Sequence, residues 1–163
     1  MLSDNKRLSL LLRKNYGRKK LDDYKSFFEG FNLKGLEYLD LEHSDEIIER
    51  IRNTFPSIEP EFEMLENDPQ KSSELITQVL NNVADDDLSY VFSDDVEYCG
   101  MFKGTTKSIL KGCLGMAFLA YENICFVTDS EFKFSFVVNY NDEDDRDFPH
   151  TFEINRQIIR EVN

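Results

Sequence analysis

Asp129, Glu131 and Lys133 carry the D…(E/D)-x-K order with which metal-dependent nucleases hold Mg²⁺ and activate water. Alternation through Phe132, Phe134, Phe136, Val138 and Tyr140 predicts a strand, with Glu131 and Lys133 on the face opposite those large apolar groups. An edge strand with outward polar residues explains the same triplet. The run Gly104-Thr105-Thr106-Lys107-Ser108 matches part of a phosphate-cradling loop. That loop needs a second glycine directly before the lysine, where Thr106 stands, so the run reads as a capped helix start. Asp142, Asp144 and Glu153 fall at positions 1, 3 and 12 of a calcium loop. Arg146 then occupies a ligand position, and Asp147 stands where the turn needs glycine. His43 and His150 are far apart, and Cys99, Cys113 and Cys125 form no Cys-x-x-Cys pair, so no metal-site spacing exists. The apolar flanks of the cysteines predict buried free thiols, inert as nucleophiles. No cofactor or metal is expected, and the chain reads as a non-enzyme. A metal-dependent hydrolase on Asp129, Glu131 and Lys133 is the alternative.

Carboxylates are the abundant functional group. In 163 residues, 32 Asp+Glu oppose 19 Lys+Arg, a formal charge of −13. Such a balance argues against nucleic acid as partner, because phosphate contacts need a concentrated basic surface. The charge is also uneven: residues 1–20 carry +6 through Lys6, Arg7, Arg13, Lys14, Arg18, Lys19 and Lys20 against Asp4, which leaves −19 for the rest. Four windows, Glu37–Glu49, Glu59–Asp68, Asp85–Glu97 and Asn141–Asp147, hold 22 of the 32 acids. Two of them stand out for the aromatics beside their acids: Tyr90, Phe92 and Tyr98 at Asp85–Glu97, and Tyr140 and Phe148 flanking Asn141–Asp147. Aromatic anchors with a carboxylate rim suit a basic protein partner, and acids speed encounter with it. The expected contact residues are Asp85, Asp86, Asp87, Tyr90, Asp94, Asp95, Glu97 and Tyr98, together with Tyr140, Asp142, Glu143, Asp144, Asp145 and Asp147. Solvated loops of an acidic cytosolic protein are the plainer explanation of the same windows.

Positioning these groups falls to an α+β fold, with a mainly helical N-terminal half followed by an antiparallel β-sheet. Leu8, Leu11 and Leu12 predict a short helix ending near Gly17, and Tyr24, Phe27, Phe28 and Phe31 a second, stopped at Gly30. Ser44 is expected to cap a helix with Ile47, Ile48, Ile51 and Phe55, ended by Pro56. Ser72 opens another, with Leu75, Ile76, Val79, Leu80 and Val83. Pro56, Pro60 and Pro69 mark 56–70 as a linker or long loop, the place where an internal boundary would fall in a single domain spanning 1–163. Tyr90 and Phe92, Ile124 and Phe126, and Phe152 and Ile154 read as further strands. The segment 105–121 fits a buried helix, its Gly112 and Gly115 allowing close packing on the sheet. The basic first helix is expected to dock on its own acidic body, with a membrane-surface or nucleic-acid arm as the alternative.

The apolar run Leu8–Leu12 is bounded by Arg7 and Arg13 and is shorter than a secretory signal core; no run approaches the roughly 18–20 residues of a membrane span. A cytoplasmic protein with no membrane partner is expected, with a presequence on Arg7, Arg13 and Arg18 as the alternative. In size, acidity and lack of catalytic motifs, with the acid windows as its residue-level support, the chain resembles the immunity proteins of bacterial toxin systems, including contact-dependent growth inhibition. That resemblance implies a small cytosolic α+β protein that neutralises a cognate toxin, commonly a nuclease, by binding it.

Overall fold

The computed structural model describes residues 4–31, 33, 35–55, 63–65, 74, 76, 84, 86–141 and 151–158. Its first element, α1 (Asp4–Gly30), is one continuous helix of 27 residues where the sequence predicts two. Gly17 does not end it. A mid-helix glycine costs about 1 kcal/mol in propensity, but here it is buried and lies against the backbone of Tyr98. The buried stripe is Leu10, Gly17, Tyr24 and Phe28, whereas Leu8, Leu11 and Leu12, from whose spacing the first helix is predicted, are exposed. The helix rests on the acidic body nonetheless. Arg13 makes a two-pronged ion pair with Asp45 (2.7 and 2.8 Å) and Lys20 donates to the carbonyl of Leu119 (2.7 Å).

After β1 (Glu37–Leu39) comes α2 (Leu41–Thr54), whose cap is Asp40, not Ser44. The Asp40 carboxylate accepts the His43 N–H at 3.1 Å, while Ser44 is buried in the first turn and donates to the carbonyl of Leu39. That backbone N–H, followed by the His43 ring, holds the Asp40 carboxyl below its ordinary range. The helix closes with the Phe55 N–H on Ile51 O, directly before Pro56. Within the stretch read as a linker, β2 (Glu63–Leu65) pairs with the last strand of the sheet. Of the helix expected from Ser72, Glu74 and Ile76 are described; both are helical, and Ile76 is fully buried.

The remaining elements are β3 (Leu88–Ser93), the single turn α3 (Val96–Cys99), β4 (Met101–Thr105), α4 (Thr106–Leu119), β5 (Ile124–Asp129), β6 (Phe134–Asn141) and β7 (Thr151–Ile158). Among the described residues they build one antiparallel sheet in the order β1-β4-β3-β5-β6-β7-β2. The fold is α+β. Alternation along β3 sends Val91 to one face, under α1 and α4, and Tyr90 and Phe92 to the other, under α2. Thr105 caps α4 by accepting the Ser108 N–H, which accounts for the glycine-threonine-lysine run as a helix start. Gly112 and Gly115 do face a close neighbour, but it is α1 and the chain after it: a Cβ at either would strike Phe28, Leu33 or Phe27, not the sheet.

Phe132 departs from the expected strand. It sits in the β5–β6 turn with φ of 59°, is buried, and stacks on Tyr90 at 6.0 Å with the Arg50 guanidinium 4.5 Å from its ring centre. The strand therefore starts at Phe134.

Candidate functional site

Two turns meet at the end of β3. Asp94 and Asp95 follow that strand, and Tyr121 and Glu122 follow α4. The Glu122 N–H donates to Asp94 Oδ2 (3.1 Å), and the Tyr121 N–H to Asp95 Oδ2 (3.3 Å). The Tyr24 hydroxyl reaches the same junction from α1, 2.8 Å from Asp95 Oδ2 and 2.9 Å from Ser93 Oγ. With one proton to give, it donates to the carboxylate and accepts from the serine, while Ser93 Oγ also accepts the Asp95 N–H. Burial, above all, pushes the Tyr24 phenol well up, so it stays a donor.

Beside this junction, between α2 and the sheet, lies a cavity of about 340 Å³. Its walls are apolar, from Ile48, Ile51 and Phe55 of α2 and its end and from Phe92 and Phe126 of the sheet. Asp94, Glu97, Glu122 and Arg52 supply its charge. A second depression of about 350 Å³, between α2 and α3, shares Ile48, Arg52, Val96 and Glu97 with it and adds Asp45 and Glu49. Asp94 is the distinctive member. Its Oδ1 is buried and has no hydrogen-bond partner among the described residues. Desolvation first, then the neighbouring Asp95 and Glu122 charges, raise its carboxyl above the ordinary 3.8, against the pull of the Glu122 N–H.

That shift has a sign. The folded protein keeps the Asp94 proton at pH values where the unfolded chain has released it, so this group's contribution to stability declines as pH rises from 3.8 through the raised value. Asp94→Asn removes the dependence. Urea unfolding across acidic to neutral pH is expected to show the variant gaining on the parent as pH rises. A constant difference would contradict the assignment.

Of the expected contact residues, the structure gathers Asp94, Asp95, Glu97 and Tyr98 at this corner, with Tyr98 against the exposed Tyr16 (4.7 Å between ring centres). Tyr140 approaches from the opposite sheet face: its N–H donates to Asn123 O, and its ring meets Phe118 edge-on. Asp86 and Asp87 lie beyond the other end of β3, about 20 Å away by strand rise. Asp87 serves locally, its carboxylate accepting the Ala84 N–H and its carbonyl the N–H and hydroxyl of Thr106. Tyr90 is 8% exposed and packs against Phe132, so it anchors the core under α2 instead of facing outward. Asp85, Asp142, Glu143, Asp144, Asp145 and Asp147 lie outside the described residues. Sequence reasoning missed Glu122 and the 80%-exposed Tyr121. Their signal was a polar break between the last apolar residue of a helix and the next strand.

Of the nuclease-like triplet, Asp129 ends β5, while Glu131 and Lys133 lie in the turn that follows and not on a strand face. Asp129 accepts the N–H groups of Glu131 (3.3 Å) and Lys133 (2.7 Å), and Lys133 pairs with Glu131. The carboxylate thus closes the turn in which Phe132 adopts its left-handed conformation. No cluster of three His, Cys, Asp or Glu residues suited to a metal occurs among the described residues. Cys99, Cys113 and Cys125 are free and buried; burial pushes the thiols of Cys99 and Cys113 up to about 12. No helix among the described residues is long and apolar enough to cross a membrane. Compared with protein-family models, with curated proteins and with solved structures, the chain matches none.

Proposed function

We propose that this protein is a non-catalytic inhibitor that works by binding a basic surface on another protein, as an immunity protein neutralises a cognate toxin, most simply a nuclease. One observation carries the reading: an apolar cavity with three carboxylates, Asp94, Glu97 and Glu122, opens at a corner where Tyr98 and Tyr121 are also exposed. Apolar walls within a charged rim are the anatomy of a tight protein interface. The surplus of acid outside the first helix favours a cationic partner and steers it. The three free thiols suit a reducing compartment, and we place the protein's action in the cytoplasm.

The test is to mix the purified protein with the product of the adjacent gene and to measure association rate against salt. Tight binding is expected, with an association rate that falls as ionic strength rises. Reversing charge at Glu97 and Glu122 is expected to slow association about tenfold, whereas reversal at Asp86 leaves it nearly unchanged. Absence of binding, or a rate indifferent to salt, would overturn the reading.

A further inference from the structure

We propose that the cavity under α2 receives one arginine side chain of the protein partner, its methylene stem on Ile48, Ile51 and Phe126 and its guanidinium against Asp94. This rests on the reading of a basic protein partner. The volume of about 340 Å³ is at the lower end for small-molecule sites, which run roughly 300–1,000 Å³. It suits one long side chain better than a cofactor.

The chemistry of the walls selects the side chain. A cavity lined by apolar side chains together with carboxylates calls for a long hydrocarbon stem ending in a cation. Among the described lining residues three acids, Asp94, Glu97 and Glu122, face one base, Arg52, which is exposed on α2. Asp94 contributes a carboxylate with one oxygen held by the Glu122 N–H and the other buried and unpartnered. A carboxylate with one oxygen buried and unpartnered is costly to keep charged, and a cation beside it offsets that cost. Arginine is preferred to lysine because its planar guanidinium is the more weakly hydrated. It also packs on aromatic surfaces such as those of Phe92 and Phe126, which lie parallel with ring centres 5.2 Å apart.

The experiment needs no partner. N-acetyl-arginine amide is titrated into the intact ¹⁵N-labelled protein and followed by NMR, with N-acetyl-citrulline amide as the uncharged isostere. Saturable shifts are expected at the amides of Phe92–Glu97, Ile48–Arg52 and Glu122, at least about fivefold weaker for the citrulline compound. Asp94→Asn weakens the arginine compound by a similar factor, and the exposed Glu97→Gln does so in part, which keeps the test decisive if the first variant folds poorly. Asp86→Asn leaves binding unchanged. Equal binding of the two compounds, shifts scattered over acids elsewhere, or no saturation would overturn the assignment. If the adjacent-gene product binds with salt dependence while the compound's shifts scatter, this inference falls alone. If the compound binds here and that product does not, the cavity assignment stands and the inhibitor reading falls.

Discussion

Gly17→Ala destabilises the protein by about 2 kcal/mol in urea unfolding, although alanine is the better helix former by about 1 kcal/mol. A Cβ at this position would overlap the carbonyl group and Cβ of Tyr98, and backbone cannot yield as the end of a flexible side chain can. The helix must then separate from α3, which loosens the Tyr16–Tyr98 contact and the Cys99 thiol's approach to the Gly17 carbonyl (3.6 Å). Gly30→Ala is the control on the same helix. Nothing lies within 4 Å of a Cβ there, and that variant is expected to be more stable by about 0.5 kcal/mol, through a less flexible unfolded chain. Equal or higher stability of Gly17→Ala would show that α1 and α3 do not pack in this way. Because α3 carries Glu97, the same change is expected to weaken partner binding beyond its effect on folding.

Tyr24→Phe costs about 1–3 kcal/mol, the range for leaving buried polar partners unsatisfied. The ring stays and fills its place, so the change isolates the hydroxyl. Without it, Asp95 Oδ2 loses its shortest donor and Ser93 Oγ its acceptor, at a residue that is 0% exposed. A double-mutant cycle with Asp95→Ala in chemical denaturation is the check, and the two changes are expected to couple by at least about 0.5 kcal/mol. Strict additivity would sink the assignment. This hydroxyl is what fastens α1 to the turn bearing Asp94 and Asp95, so its loss is also expected to blur the cavity mouth.

Much of the architecture was legible in local patterns. Ile47, Ile48 and Ile51 mark the inner face of α2, Thr105 and the apolar run after it mark α4, and the alternation at Tyr90 and Phe92 marks β3. Each of these depends on periodicity within a few residues, where backbone geometry alone sets which side chains share a face. The misreadings have one cause. Gly17 and Ser44 were assigned the roles that glycine and serine usually play, a stop and a cap. Tyr98 pressing on the glycine and Asp40 reaching the His43 N–H assign them otherwise. Phe132 continued an alternation that Asp129 breaks by closing a turn around it.

The candidate site divides in the same way. Composition and charge pattern marked an acidic protein with a basic first segment and aromatics beside its acids, and hydrophobic periodicity marked it as α+β. They could not say which acids meet. Asp85–Glu97 is continuous in sequence, yet β3 carries Asp86 and Asp87 to one end and Asp94, Asp95 and Glu97 to the other. Glu122, from another turn, completes the rim through a backbone hydrogen bond to Asp94. An extended strand separates sequence neighbours by about 3.3 Å per residue, while turns joined across a sheet bring distant segments into contact. Charge is a property of residues and was visible at once; a cavity is a property of the space between elements and had to wait for their packing.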